Sequence, residues 1–348
     1  MKKLQPTEYM YASARIRSLE NRIVGRERME LLMEARSSDE VMDRLAEYGL
    51  KLPENPDGSA PVGEALSAAR EAMLLSVLRE AFDEAERAVP DPALFRYLRY
   101  PYDCNNLKAA IKCGIRGISP EGMLFDFGTV PADRVEELVR EGNYETLPPA
   151  MAAAIPAARD AYDRTGDPRR IDTVLDNACY ADMLAAALQT GDETLIGWMK
   201  AKIDLTNILT AIRILRMNMG SVGEAFLREA LLEGGTLTAK FFSEAYEKGE
   251  AGLFEALSPT AYYRLARVEG DPRPLSAVEK ACDDLYMELV REGARIPFGA
   301  PVVGGYLLGC EVSVKNIRVV LAAKDAELDT AVIRERIRMS YVQDRYYR

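Results

Sequence analysis

The sequence predicts an all-α protein, and three observations carry that expectation. Apolar residues recur every three to four positions over long stretches, alternating β-branched runs are nearly absent, and capping residues and glycines bracket the periodic segments. With 348 residues, of which 48% are hydrophobic, the chain can bury a substantial core, and its length suggests two or three domains.

Residues 11–24 place Ala12, Ile16, Leu19 and Ile23 on one helical face, and 39–50 pair with them as a hairpin whose second helix opens at Ser37 with Glu40. From Pro61 onward Leu66, Ala69, Met73, Leu74, Val77, Leu78, Ala81, Phe82 and Ala85 form one stripe that must be buried. Pro131 starts a shorter helix that Gly142 stops. Asp167-Pro168 opens a long one with Ile171, Leu175, Ala178 and Cys179 on one face. Thr238 starts a further helix that ends at Gly249. Ser276 and Glu279 read as a capping box ahead of Val278, Cys282, Leu285 and Leu289. Connectors fall at 52–58, 114–120, 142–149 and 269–274, each rich in proline, glycine or acid.

A pattern recurs three times: Asp103-Cys-Asn-Asn106-Leu, Asp204-Leu-Thr-Asn207-Ile and Ser313-Val-Lys-Asn316-Ile, with the asparagines 101 and 109 residues apart. Each copy reads as a capped helix start, with Asp103, Asp204 or Ser313 accepting from the amide three residues on and Asn106, Asn207 or Asn316 answering back. A single such pair arises by chance at many helix starts. Three at near-equal spacing argue for a repeated unit of about a hundred residues, far longer than a solenoid repeat of roughly 34.

Composition excludes several classes. The absence of histidine removes the commonest general base, the usual zinc nitrogen ligand and every Ser/His or Cys/His arrangement. A net charge of -10, from 45 basic and 55 acidic residues, repels phosphate backbones, so nucleic acid is not an expected partner. The five cysteines are an odd number, widely spaced, and read as buried thiols of a reducing compartment. The N-terminus lacks the apolar stretch of a secretory signal, and no segment approaches the roughly 20 apolar residues of a membrane span, so the expectation is a soluble cytoplasmic chain. Asp83, Glu84 and Glu86, or Asp283, Asp284 and Glu288, offer carboxylates for Mg²⁺, but neither group has a second metal-binding cluster or a phosphate loop beside it.

These residues resemble the AC39 family, the C-type (or d-type) subunits of V/A-type rotary ATPases. Tyr11-Ala-Ser-Ala-Arg15-Ile-Arg17-Ser-Leu19-Glu20 fits the family's first helix, and Ile171-Asp172-Thr-Val-Leu175-Asp176-Asn-Ala-Cys-Tyr180 fits the acidic helix of its middle repeat. Lys202-Ile-Asp204-Leu-Thr-Asn207-Ile and Tyr306-Leu-Leu-Gly-Cys-Glu311-Val-Ser-Val-Lys315-Asn316-Ile317-Arg318 fit its later repeats, and the likeness runs nearly end to end. The resemblance implies three pseudo-repeated helical domains arranged as a funnel. We place them at 61–160, 161–270 and 271–348, after an N-terminal hairpin at 1–60 that packs with the C-terminal helices. It implies a non-catalytic subunit with no cofactor and no direct nucleotide, monomeric in isolation. Such a subunit seats the central stalk, with its D- and F-type subunits, on the membrane proteolipid ring in H⁺ or Na⁺ transport, at the cytoplasmic face. The glycine-rich stretch 299–309 departs from the family's pattern and leaves the local shape before the third repeat open.

Arg15, Arg17, Lys108, Lys112, Arg213, Arg216, Lys315 and Arg318 crowd the repeated helices of an acidic chain and are candidate partner contacts. The alternative is that they are solvated helix faces paired with nearby acids. Trp198 reads as core, and the tyrosines Tyr341, Tyr346 and Tyr347 as a possible partner surface. A generic helical scaffold for protein assembly is the rival reading.

Overall fold

The computed structural model describes residues 4–53, 61–218, 220–270 and 272–342, with the side chain of residue 221 left aside. Most of the 52–58 connector, one residue of the 269–274 connector, and Tyr346 and Tyr347 lie outside the described residues. Within them every regular element is a helix, as the periodicity predicts. The α-helices are α1 (Met10–Leu19), α2 (Arg26–Glu34), α3 (Ser38–Glu47), α4 (Glu64–Ala88), α5 (Tyr100–Arg116), α6 (Ala132–Glu141), α7 (Pro149–Thr165) and α8 (Arg169–Thr190). They continue with α9 (Glu193–Arg216), α10 (Gly220–Ala230), α11 (Ala239–Glu247), α12 (Gly249–Leu257), α13 (Leu275–Gly293), α14 (Ala300–Asp325) and α15 (Thr330–Arg336). No helix among the described residues is long and apolar enough to cross a membrane.

The helices fall into two compact units: Leu4–Pro92 with the chain from Val268, and Ala93–Arg267. In the first, α14 is the central element. Val302, Val303, Leu307, Val314, Ile317 and Val320 are almost fully buried around its circumference, the pattern of a helix surrounded by others. It packs against α1, α2, α3, α4, α13 and α15. Most of the stripe expected on α4 is there, with Met73, Leu74, Leu78, Ala81, Phe82 and Ala85 buried and Leu66, Ala69 and Val77 half-buried. So is the face of α1, and Ser37 Oγ accepts from the Glu40 amide at the start of α3.

Two expectations in this unit need correction. The N-terminal hairpin is three helices, because Met29, Leu32 and Met33 give α2 its own buried face between the two expected partners. Ser276 does not cap α13: the helix begins one residue earlier, with Pro274 at its N-cap position and no side-chain cap. The 3.6-residue period carries its buried stripe from Cys282 to Met287 and Val290, leaving Leu289 at the surface.

In the second unit α7 and α8 form an antiparallel hairpin turned at Gly166, which takes φ +65°. The Asp182 carboxylate of α8 receives the amides of Ala150 and Met151 at 3.0 and 2.8 Å, closing the N-terminus of α7 from outside that helix. Against α8 lie α5, α9 and α10. Helices α6 and α11 start and stop where the sequence marks them, at Pro131 and Gly142 and at Thr238 and Lys248-Gly249. Trp198 is buried on α9, and all five cysteines are buried and outside any disulfide.

Candidate functional site

The repeated asparagines make one contact three times. Asn106 Nδ2 donates to the Phe125 carbonyl and its Oδ1 accepts from the Phe125 amide, both at 2.8 Å. Asn207 does the same with Leu232 at 2.9 and 2.8 Å, and Asn316 with Arg338 at 2.9 Å for both bonds. A side-chain amide thus pairs with the backbone of a single residue in an irregular segment and satisfies both groups that burial would leave stranded. The asparagines are 0–1% exposed.

Asp103 and Asp204 complete the clamp in two copies. Asp103 accepts from the Thr129 amide and hydroxyl and the Val130 amide, at 3.0, 2.7 and 3.0 Å. Asp204 accepts from the Thr236 amide and hydroxyl, the Leu237 amide and the Tyr262 hydroxyl. In both cases the carboxylate holds the two residues just before the N-cap position of a helix, α6 or α11. Burial pushes the Asp103 carboxyl above the ordinary aspartate range, and the bonds from Val130 and Thr129 pull it back.

These residues are therefore not caps of their own helices. Asp103 and Asn106 lie inside α5, whose N-cap is Arg99. Asp204 and Asn207 are mid-helix in α9, which Asp192 caps, and Ser313 and Asn316 are mid-helix in α14. A D-x-x-N spacing puts both side chains on one helical face, which serves a packed segment as well as a cap. The helix ends repeat too. Eleven residues after each asparagine stands a residue in the left-handed region: Gly117 at φ +68°, Asn218 at +50° and Glu327 at +54°.

The candidate bases sit on or near these helices, and most are engaged within their own unit. Lys108 pairs with Asp176 and Lys112 with Asp172, joining α5 to α8. Burial works against the Lys108 charge, yet Cys104, Asp176 and Asp172 leave its ammonium above the ordinary range. Arg15 bonds Glu84 at 2.7 Å, holding that carboxyl below its usual range, and Arg17 bonds Glu20 and the carbonyls of Ala294 and Ile296. Arg216 pairs with Glu250, Lys315 with Asp283 and Arg318 with Glu71. Arg213 lies on the exposed side of α9.

A family model described as the ATP synthase (C/AC39) subunit matches residues 12–336, which takes in the three clamp asparagines. This chain belongs to that family. The C subunit of the A-type ATP synthase of Methanocaldococcus jannaschii is 23% identical, over 94% of this chain and 85% of that protein. The C subunit of the V-type sodium ATPase of Enterococcus hirae is 21% identical, over 96% of this chain and 99% of its own length. The C subunit of the A-type ATP synthase of Thermococcus onnurineus is 24% identical, over 94% and 90%.

In this C/AC39 subunit three of the six acids considered above for Mg²⁺ are engaged in bonds within their own unit. Glu84 is bonded to Arg15, Asp283 to Lys315 and Arg338, and Asp284 to Lys280 and the Met339 amide. Among the described residues no group of three or more acids and cysteines is placed to hold a metal ion. Sequence reasoning missed the Gly-Thr pairs Gly128-Thr129 and Gly235-Thr236 that face the clamp aspartates. A side chain on either glycine would overlap the aspartate Oδ1, and this recurrence was the available signal.

Proposed function

We propose that this chain is the non-catalytic coupling subunit of a V/A-type rotary ATPase, a socket that joins the central stalk, with its D- and F-type subunits, to the membrane proteolipid ring. Membership of the C/AC39 family over almost the whole chain carries this reading, because its relatives are named as C subunits of A-type and V-type machines. The three pseudo-repeats form a funnel, after an N-terminal helical segment, and the subunit lies at the cytoplasmic face of the membrane. Their equivalence is supported by three identical asparagine clamps and three left-handed helix ends.

A part that passes torque must resist shear, and side chains that pin backbone to backbone suit that need better than mobile loops do. Partner contact falls to the bases on the repeated helices: Lys108, Lys112, Arg213, Arg216, Lys315 and Arg318, with Arg15 and Arg17 on the first helix. Because most are already paired with acids of their own unit, a partner's carboxylates would exchange with internal ones, which tunes specificity more than affinity. The test is co-purification of the chain with purified stalk subunits and, separately, with the proteolipid ring. Retention by both is expected. Retention by neither leaves a helical scaffold of other purpose.

A further inference from the structure

The third clamp lacks the aspartate, and the residues around it have changed together. Counting from the clamped residue, the third position onward is Gly128 in the first copy, Gly235 in the second and Tyr341 in the third. Counting back three from the asparagine gives Asp103, Asp204 and Ser313. Where the helix carries a carboxylate the segment carries glycine, and where the helix carries a small hydroxyl the segment carries a tyrosine.

The space accounts for this. In the first two copies a Cβ on the glycine would overlap the aspartate. In the third, the Tyr341 ring lies on α14 over Gly309 and Gly305, four and eight residues before Ser313. A Cβ on Gly309 would stand 2.7 Å from Tyr341 Cβ, Cγ and Cδ1, and one on Gly305 would stand 2.9 Å from the hydroxyl. Separations below 3 Å leave no room for a side chain, so the glycines form a notch that the ring fills, leaving Tyr341 4% exposed. The glycine-rich stretch 299–309, whose shape the sequence leaves open, is in part this notch.

We infer that Tyr341 is the third repeat's replacement for the buried aspartate, a plug that fastens the C-terminal strap 337–342 to α14. Beside the Asn316 clamp on Arg338, the rest of the fastening comes from other helices. Asp283 of α13 bonds the Arg338 side chain, Asp284 takes the Met339 amide at 2.6 Å, and the Tyr341 hydroxyl reaches Glu20 at the end of α1, 3.3 Å away. The strap therefore ties α1 and α13 to α14, with the Tyr341 ring standing where the other two copies set a helix carboxylate against the segment's backbone.

The experiment is hydrogen exchange of the full chain, read at the amides of 338–342, with thermal melting alongside. Tyr341→Gly should accelerate exchange of the strap at least about tenfold, as loss of a local closure does. Ser313→Asp alone should do the same by setting a carboxylate where the other two copies make room for it with a glycine. The combined Ser313→Asp, Tyr341→Gly and Val342→Thr chain, which installs the Asp and Gly-Thr set of the other copies, should return exchange and melting temperature most of the way to the starting values. Tyr341→Phe, which folds most safely, should leave exchange within a few-fold because the ring remains. Additive losses in the combined chain would overturn the proposal. So would a Tyr341→Phe effect as large as that of Tyr341→Gly, since the hydroxyl bond to Glu20, and not the ring, would then be the whole of Tyr341's part.

Discussion

The clamp asparagines are where single residues matter most. Asn207→Ala strands the buried amide and carbonyl of Leu232 together, so the expected loss is on the order of 2–4 kcal/mol of unfolding free energy, measured by urea denaturation. Ser313 carries a small hydroxyl where the other copies carry the bonded carboxylates of Asp103 and Asp204, so Ser313→Ala should cost about 0.5 kcal/mol or less. Similar losses at the two positions would mean that the clamp bonds do not control stability. Tyr262 gives a pH signature. Burial and its bond to Asp204 raise its hydroxyl above the ordinary tyrosine range. At higher pH the unfolded chain loses a proton that the folded chain keeps, so the folded state binds more protons and stability falls as pH rises. Tyr262→Phe should remove part of that alkaline loss, seen as a shallower fall of melting temperature above about pH 10, where an unperturbed tyrosine titrates.

At the scale of elements, the ends of the clamp helices invite a test with the opposite sign. Glu327 ends α14 in a left-handed conformation that costs a side-chain-bearing residue about 1 kcal/mol, so Glu327→Gly should raise stability by about that amount while Gly117→Ala lowers it. An unchanged Glu327→Gly protein would show that the turn relaxes at no cost. Helices such as α4 and α8 were legible because a buried stripe must recur at the helical period, and α6 and α11 because their end residues are chemically distinct. The repeat was legible because the pattern around Asn106, Asn207 and Asn316 recurs three times at near-equal spacing. Its meaning was not, since the groups that the asparagines hold are backbone atoms of Phe125, Leu232 and Arg338, 19 to 25 residues away and without a residue signature. The spacing D-x-x-N then looked like a cap. Tyr341 was legible only as a surface aromatic, because its glycine notch lies in α14, far from it in sequence.

For the whole molecule, the bases and their internal partners change how docking must be tested. Reversing Lys108 sets a carboxylate against Asp176, and even a neutral residue there breaks a largely buried pair between α5 and α8, so the cleaner variant carries Arg213→Gln and Arg318→Gln in one chain. That chain should bind the stalk several-fold more weakly at low salt, with a melting temperature within a few degrees of the starting protein, because exposed pairs contribute about 0–1 kcal/mol each. Undiminished binding at low salt would remove these helices from the interface. The coupling role itself is tested by reconstituting the rotary ATPase into vesicles with and without this subunit and measuring ATP hydrolysis and ion transport together. The account predicts that omission leaves hydrolysis running and abolishes transport, with both restored to proportion when the subunit is added back. Transport that persists at full stoichiometry without the subunit would contradict it.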